Sequence, residues 1–296
     1  MRDIVIAAAV RTPIGKFNGS LAGVPAVDLG TLVVREALKR AGVAPADVNE
    51  VIMGHVIQAG AGSNTARQVL IKSDIPTGVP ACTVNKVCAS GMKAVTLAAL
   101  SIAAGEQEIV VAGGMESMNS APYLLQKARW GYRLGDDQIV DSLLRDALHD
   151  PLDSSHMGMT AENLAAEFRI SRREQDEFAA ESHRRAAEAI RAGRFTSEIV
   201  PVEMPQKKGP PQLFSSDEGP RPDTTVEVLA KLKPAFKPDG TVTAGNSSSI
   251  NDGAAALVLL SADEAKRRGV KPIARIRSWA SAGVEPSRMG YGPVPA

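Results

Sequence analysis

PACTVNKVCASGMKAVTLAALSIAAGEQEIVVAGG, residues 80–114, contains the pattern that decides the fold class. Residues 80–87 have the pattern of an extended segment, residues 91–104 that of a helix before a closing glycine, and residues 108–112 that of a strand. The helical stretch is apolar nearly all round, which predicts that it lies buried between two layers. A buried helix between two extended segments favours an α/β domain.

Strand and helix signals continue to alternate on both sides of this stretch. Apolar runs predict strands at residues 4–10, 50–58 and 254–261, and apolar residues at helical spacing predict helices at residues 27–41, 64–71 and 262–268. This alternation favours a largely parallel sheet covered by helices.

Residues 120–245 differ in composition and predict an inserted subdomain. A long helical pattern covers residues 171–192, and Ser171 and Glu174 have the spacing of a capping box at its start. Eight of the 19 prolines fall between residues 201 and 238. Proline cannot donate to a sheet ladder, so this part of the chain cannot form a central strand.

The last residues of the chain resemble its beginning. Residues 272–279 alternate like a new strand, and a loop containing Gly283 follows, which repeats the order of the opening residues. This predicts a second repeat whose first strand has no partner in the chain. We expect a core of residues 1–119 and 246–269, an inserted loop domain of residues 120–245, and the start of a second core repeat at residues 270–296.

Composition excludes several classes of protein. The 296 residues have a net charge of +1, with 44% hydrophobic and 23% charged residues, unlike a disordered chain, a collagen or a secreted disulfide scaffold. Near-neutral charge provides no overall field for nucleic acid. No uninterrupted apolar run approaches the roughly 18 residues of a membrane span, and no signal-peptide pattern opens the chain. We therefore expect a cytoplasmic protein without nucleic-acid or membrane partners.

Metal and nucleotide motifs are not evident in the sequence. Its two cysteines, Cys82 and Cys88, are too few for a disulfide framework, and we expect reduced thiols. Its four histidines have no metal-ligand spacing with one another or with cysteine, so no metal site is predicted. The sequence contains no P-loop and no complete dinucleotide-binding glycine motif.

Cys88 is the candidate nucleophile. It lies where the extended segment meets the helix, and the positive end of a helix dipole favours a thiolate. Small residues after it leave room for a substrate carbonyl. The alternative is a small buried apolar residue, which is the common role of cysteine in cytosolic proteins. Cys82 lies in the extended segment without a helix end, and we interpret it as a packing residue.

Two further regions are candidate binding elements. His156 precedes a predicted helix and either lines a pocket or caps a loop. Residues 241–256 are rich in small polar side chains that could hold an extended amide-containing ligand, or form a turn that satisfies its own backbone. Arg221, with Lys207 and Lys208, either meets phosphates or is simply solvated.

Five motifs together resemble the thiolase family, and the acetyl-CoA acetyltransferases within it. They are NKVCASGMKA at 85–94, VAGGMESM at 111–118, HMGMTAEN at 156–163, KLKPAF at 231–236 and TAGNSSSINDGAA at 243–255. The resemblance covers the whole chain in the family's order. It implies a layered α/β/α core with a mixed, mostly parallel sheet, an inserted loop domain, and a second repeat that is largely absent here.

The resemblance also implies roles for individual residues. Cys88 is the nucleophile that carries the acyl group. The residues implied to bind CoA and the acyl group are Leu148, His156, Met157, Arg221, Phe236, Ala244, Ser248 and Met289. Arg221 corresponds to the nucleotide end of CoA and Ser248 to the pantetheine, whereas Phe236 and Met289 would line the acyl pocket. CoA and acyl-CoA are substrates, no cofactor is implied, and family members commonly form tetramers.

The chain departs from the family pattern in its proton-transfer groups. Family members carry an NEAF motif, a GHP motif whose histidine activates the cysteine, and a CxG motif whose cysteine is an acid and base; this sequence contains none of them. We therefore expect a chain truncated before its second half and inactive or nearly so. The alternatives are a non-catalytic CoA-binding or oligomerising protein complete at this length, and a cysteine-dependent hydrolase with His156 as base.

Overall fold

A computed structural model describes residues 2–206 and 209–296. Lys207 and Lys208, two of the three cations considered for phosphate binding, lie outside the described residues. The chain divides into two compact units. The first comprises Met1–Ala121, Thr196–Glu218 and Asn251–Trp279, and the second comprises Pro122–Phe195, Gly219–Ile250 and Ala280–Ala296.

Helices and strands are numbered here in chain order. The helices of the described residues are α1 (Ala26–Ala41), α2 (Thr65–Lys72), α3 (Ser90–Ala104), α4 (Met157–Glu167), α5 (Arg172–Arg191), α6 (Val226–Leu229) and α7 (Ala262–Arg268). The strands are β1 (Ile4–Arg11), β2 (Gly15–Lys16), β3 (Glu50–Gly54), β4 (Ala81–Val84), β5 (Ile109–Ser117), β6 (Tyr123–Leu124), β7 (Val140–Asp141), β8 (Val202–Met204), β9 (Gln212–Phe214), β10 (Asn251–Ser261) and β11 (Ala274–Ile276).

The first unit is built on a mixed seven-stranded sheet in the order β11-β1-β10-β5-β3-β4, with β2 paired to β10. The prediction of a mixed sheet is confirmed, but the prediction that it is mostly parallel is wrong. Among the described strands of this sheet, only the β3–β4 and β3–β5 pairs are parallel. The long strand β10 lies antiparallel to both β1 and β5. An apolar run predicts a strand but carries no information about its direction. The sequence pattern therefore could not reveal that β10 runs antiparallel to its neighbours.

Helices cover both faces of this sheet. Val51 and Met53 of β3 belong to the apolar core that contains α1 and α2, whereas Ile52 belongs to the core that contains α3. Successive side chains of a strand point to opposite faces, so α1 and α2 form one layer and α3 the other. The layered α/β/α arrangement is therefore confirmed.

Helix α3 is not buried on all sides, contrary to the sequence-based expectation. Ala94, Ala98 and Ile102 are fully buried against the sheet, but Met92 is 75% exposed and Leu100 is 41% exposed. In the part of the chain that the structure describes, the first unit supplies only one layer against this helix. The segment Val87–Ala104, which includes α3, is long and apolar enough to cross a membrane, and its mean hydropathy is 1.6. Core helices of other proteins pass the same test.

Two segments of the first unit, β11 and residues 196–218, differ from the expected domain division. Strand β11 pairs antiparallel with β1, so the strand expected to lack a partner has one. Residues 196–218 belong to this unit and carry the β8–β9 hairpin, although the sequence placed them in the inserted domain. The limits of the domains themselves stay a prediction.

The second unit contains the helices α4 to α6. The capping box of α5 is present as predicted, with the Ser171 side chain on the Glu174 N–H and the Glu174 carboxylate on the Ser171 N–H. A helical turn at Pro286–Tyr291 packs against α4, and Arg288 of the turn forms an ion pair with Glu167 of α4. Phe168, which follows α4, stacks on Tyr291 with ring centroids 5.7 Å apart.

Candidate functional site

Cys88 lies in a tight turn between β4 and α3. The Ser90 hydroxyl accepts a hydrogen bond from the Lys86 N–H at 2.8 Å and donates one to the Val87 carbonyl at 2.6 Å. Val87 has φ +48°, a left-handed conformation that is unfavourable for a β-branched residue and that recurs at functional sites. The turn therefore fixes the backbone directly before the thiol.

Glycines allow the start of α3 to lie directly on the sheet. A Cβ at Gly54, the last residue of β3, would be 2.5 Å from the backbone of Ser90 and Gly91. A Cβ at Gly114 of β5 would be 3.1 Å from the Gly91 Cα. Because only hydrogen atoms fit at these contacts, the two strands determine where the first turn of α3, and so Cys88, is placed.

Cys88 is exposed at the helix end, as a nucleophile requires. Ala89 precedes the first residue of α3, and within residues 2–206 and 209–296 no side chain caps this end. The N–H groups of an uncapped first turn and the helix dipole favour negative charge beside them. Ala89 and Gly91 are small, so neither places a large side chain next to the sulfur.

Cys82 has different surroundings. It lies in β4 beside Ile52 of β3. Partial burial of its thiol, and secondarily the charge of Glu50, raise the pKa of Cys82. A raised thiol pKa means less thiolate near neutral pH. The Cys82 side chain is nevertheless exposed, so its interpretation as a packing residue is wrong, and the effect of its surroundings is the raised thiol pKa.

His156 forms the centre of an aromatic cluster in the second unit. Its Nδ1 accepts a hydrogen bond from the Gly158 N–H at 3.0 Å and caps α4. Its ring stacks on Phe236 at 4.8 Å between centroids and meets the edge of His149 at 5.4 Å. Burial, and then the charge of His149, lower the pKa of His156. A neutral imidazole on an aromatic ring suits an apolar acyl or pantetheine group.

The remaining predicted binding residues of the second unit lie on several short elements. Met157 is half-buried at the first position of α4, and Leu148 is half-buried at the end of the helical turn Leu144–Leu148. Met289 is 40% exposed on the turn that packs along α4. Arg221 is exposed, and its N–H donates to Nδ1 of His183 at 3.1 Å. The structure thus brings His156, Met157 and Phe236 together at the start of α4.

Ala244 and Ser248 lie exposed on the loop that precedes β10. The loop is held from inside, because the Thr243 N–H donates to Oδ1 of Asn246 at 2.7 Å and the Ser247 hydroxyl donates to the Thr243 carbonyl at 2.7 Å. Its internal bonds agree with the prediction of a turn that satisfies its own backbone. They also leave the surfaces of Ala244 and Ser248 available to a ligand.

Sequence reasoning missed two buried carboxylates of the second unit, Glu162 and Asp176, each 1% exposed. Glu162 belongs to the HMGMTAEN motif, and Asp176 follows the capping box of α5. An acidic residue inside a helix usually faces solvent. The one sequence feature that could have drawn attention to Glu162 is its place in the HMGMTAEN motif. Membership of a motif does not by itself indicate that a side chain is buried. Among the described residues, no group of three or more potential ligands is placed to hold a metal ion.

Comparisons with known proteins agree with the motifs. The family model "Thiolase, N-terminal domain" matches residues 4–263. The acetyl-CoA acetyltransferase of Pseudomonas aeruginosa is 55% identical over 296 residues, which are 100% of this chain and 75% of that protein. The Escherichia coli acetyl-CoA acetyltransferase is 55% identical over 297 residues with the same coverage. The crystal structure of the Bacillus anthracis acetyl-CoA acetyltransferase has a TM-score of 0.97 and 48% identity, and the match covers 100% of this chain and 75% of that chain.

Proposed function

The chain belongs to the thiolase family of enzymes, and from this premise we propose that it transfers acyl groups between CoA thioesters through an acyl-thioester on Cys88. The reaction is condensation of two acetyl-CoA molecules to acetoacetyl-CoA, or cleavage of a 3-ketoacyl-CoA by free CoA. The observation that carries the proposal is an exposed thiol at the uncapped start of α3, in a backbone turn fixed by Ser90 and by glycine contacts.

Two half-reactions follow from this placement. First, the Cys88 thiolate attacks the carbonyl carbon of an acyl-CoA, the bond from that carbon to the CoA sulfur breaks, and CoA leaves with the electron pair and takes a proton. Second, the α-carbon of acetyl-CoA, after losing a proton, attacks the new thioester. A carbon–carbon bond forms, and the electron pair of the broken thioester bond returns to the Cys88 sulfur. An acyl-CoA thioester is the substrate of each step, free CoA is the product of the first, and we propose no cofactor.

Proton transfer is the step for which the expected acid and base side chains are not found in these 296 residues. The sequence contains neither the GHP histidine nor the CxG cysteine that resemblance to the family implies. A positioned acid or base contributes about 10²- to 10⁴-fold to a rate. We propose that the 296-residue chain accepts an acyl group on Cys88 but turns over slowly.

Acylation is tested by mass spectrometry of peptides after incubation with acetyl-CoA. We expect an acetyl adduct on the peptide that contains Cys88, which C88S removes and C82S retains. An adduct confined to Cys82 would contradict the assignment of the nucleophile. No adduct on either cysteine would contradict acyl transfer by this chain and would favour a non-catalytic CoA-binding or oligomerising protein, provided that CoA still binds.

Turnover is tested separately by thiolysis of acetoacetyl-CoA. The acetyl-CoA acetyltransferase of Pseudomonas aeruginosa serves as the active control. We expect this chain to be slower by about 10²-fold or more, because each missing group costs at least that factor. Equal turnover would contradict the proposed inactivity and leave the acyl-transfer proposal intact. Release of acetate without a second CoA product would instead indicate a cysteine-dependent hydrolase.

A further inference from the structure

Two buried carboxylates hold the loop that carries Ala244. On α4, Glu162 accepts hydrogen bonds from the N–H groups of Thr241 and Val242, both at 2.8 Å to Oε1. Its Oε2 accepts one from the Thr241 hydroxyl at 3.2 Å. Lys237, with Nζ 3.9 Å from Oε2, is the cation that the structure pairs with it. Glu162 thus fixes the beginning of the loop.

Asp176 on α5 fixes the other end of the same loop. It accepts hydrogen bonds from Nε of Arg172 at 2.8 Å and from Nδ2 of Asn246 at 3.0 Å. Nδ2 of Asn246 also donates to the Thr241 carbonyl at 3.1 Å. A third side chain reaches the loop, because Nε2 of Gln175 donates to the Thr241 hydroxyl at 2.9 Å.

The burial of Glu162 and Asp176 depends on the conformation of this loop. Removing a carboxylate from water is unfavourable unless hydrogen bonds and a cation compensate for the lost hydration. Here the compensation for Glu162 comes mainly from backbone N–H groups of the loop, so its buried oxygens have these partners only when the loop has this conformation. Gly240 also belongs to this arrangement. A Cβ at position 240 would lie 2.2 Å from Oε1 of Glu162, so a larger residue there would push the carboxylate or the loop away.

We infer that Glu162 and Asp176 are positioning residues that hold Ala244 and Ser248 in the conformation that binds the pantetheine part of CoA. The inference rests on the proposed function and on the CoA contacts that resemblance to the family implies for Ala244 and Ser248. Ala244 lies between Val242 and Asn246, the two anchored points, and it is exposed while its neighbours are fixed. Neither carboxylate needs to touch CoA, because both act through the backbone of the loop.

The inference is tested with the whole chain by measuring the dissociation constants of two probes, CoA and adenosine bisphosphate, its nucleotide fragment. E162Q and D176N each keep the side-chain shape and remove the charge. A hydrogen bond to a charged group corresponds to about a tenfold change in a binding constant. We expect both variants to bind CoA about tenfold more weakly and the nucleotide fragment unchanged, because only the pantetheine contacts depend on the loop.

Two further variants separate positioning from general stability. E264Q removes a carboxylate of the first unit that is 7% exposed and pairs with Arg267 and Arg268, and we expect it to lower stability without changing CoA affinity. Q175A removes one contact to Thr241 and should weaken CoA binding by a few-fold. It keeps the test available if E162Q or D176N does not fold.

The outcomes are distinct. Unchanged CoA affinity in the folded carboxylate variants, or in Q175A if they do not fold, would overturn the inference and leave the proposed function standing. An equal loss of affinity for CoA and for the nucleotide fragment would also overturn it, since that is the result of a purely structural role. Failure of the unsubstituted chain to bind CoA would overturn the proposed function and, with it, this inference.

Discussion

The two cysteines differ in the surroundings of their thiols, and this difference predicts their reactivity. Both cysteines are exposed, but partial desolvation and the Glu50 charge raise the pKa of Cys82, whereas Cys88 lies at the positive end of α3. With iodoacetamide near neutral pH we expect Cys88 to be alkylated first. Raising the pH should narrow the difference, because a thiol with a raised pKa gains thiolate only at higher pH. Peptide mass spectrometry at short reaction times measures both rates.

The single variants C82S and C88S provide the control for alkylation. C82S should keep the fast phase and C88S should lose it. If Cys82 reacts first in the unsubstituted chain, the interpretation of the turn before α3 as the site of the nucleophile is wrong.

His156 predicts a dependence of stability on pH. Its pKa is lowered in the folded chain by burial and by His149, so the unfolded chain binds the proton more strongly. The contribution to stability is therefore complete above about pH 6.5, the ordinary histidine value, and is lost as the pH falls through it. H156N keeps a capping acceptor for α4 and should weaken this dependence. Urea midpoints at about pH 7.5 and about pH 5.5 measure it; an identical pH dependence in H156N would contradict the prediction.

At the scale of single residues, the choice of Cys88 as the nucleophile stays a prediction, and the backbone around it was not predictable from the sequence. Cys88 could be chosen because a thiol, small residues and a helix start coincide in one motif. The left-handed conformation of Val87 could not be predicted, because valine is among the residues that least favour it. Burial of Glu162 could not be predicted either, since it depends on the loop at Thr241, which lies far away in the sequence.

At the scale of elements, the contact between β3 and α3 predicts a steric effect. In G54A the new methyl group would lie 2.5 Å from the backbone of Ser90 and Gly91. Backbone cannot rotate away as a side chain can, so α3 must shift. We expect a loss of about 1–3 kcal/mol in the free energy of unfolding, as for other overpacked sites, measured by urea denaturation.

G78A is the matched control in the same unit. Nothing lies within 4 Å of a Cβ at Gly78, so the substitution should leave the stability unchanged or raise it by about 0.4–1 kcal/mol. Slower acetylation of Cys88 in G54A, but not in G78A, would show that the strand contact positions the nucleophile. Equal stability of the two variants would contradict the close packing.

The elements were predictable where their signals are local. The capping box at Ser171 and Glu174 and the closing glycine of α3, Gly105, follow from a few neighbouring residues, and both are present. The direction of β10 was not predictable, because its partners β1, β2 and β5 precede it by a long stretch of chain. The burial of α3 was overestimated for a related reason. An apolar helix surface indicates what a helix can bury, not what covers it.

At the scale of the whole molecule, the motifs predicted the family and the layered core, because together they span the chain. They did not predict that residues 196–218 join the first unit. This segment is tied to β1 through Arg11, which pairs with Glu198 at 2.6 Å and with Asp217 at 2.7 Å. The proline content of the segment indicates irregular structure, but it does not indicate which unit the segment packs against.

Arg11 is therefore expected to hold the first unit together across distant parts of the chain. Asp217 is 12% exposed and also accepts the Ile14 N–H at 2.8 Å, so R11A leaves its carboxylate partly buried without its cation. We expect a loss of about 2–3 kcal/mol in the free energy of unfolding, below the range for a fully buried pair. The amide of Val200, which donates to the Arg11 carbonyl at 2.7 Å, should exchange faster with solvent, because the segment is then held by fewer contacts. R35A, which removes an exposed pair with Asp74, should cost at most about 1 kcal/mol, and a similar effect of the two variants would show that Arg11 does not anchor the segment.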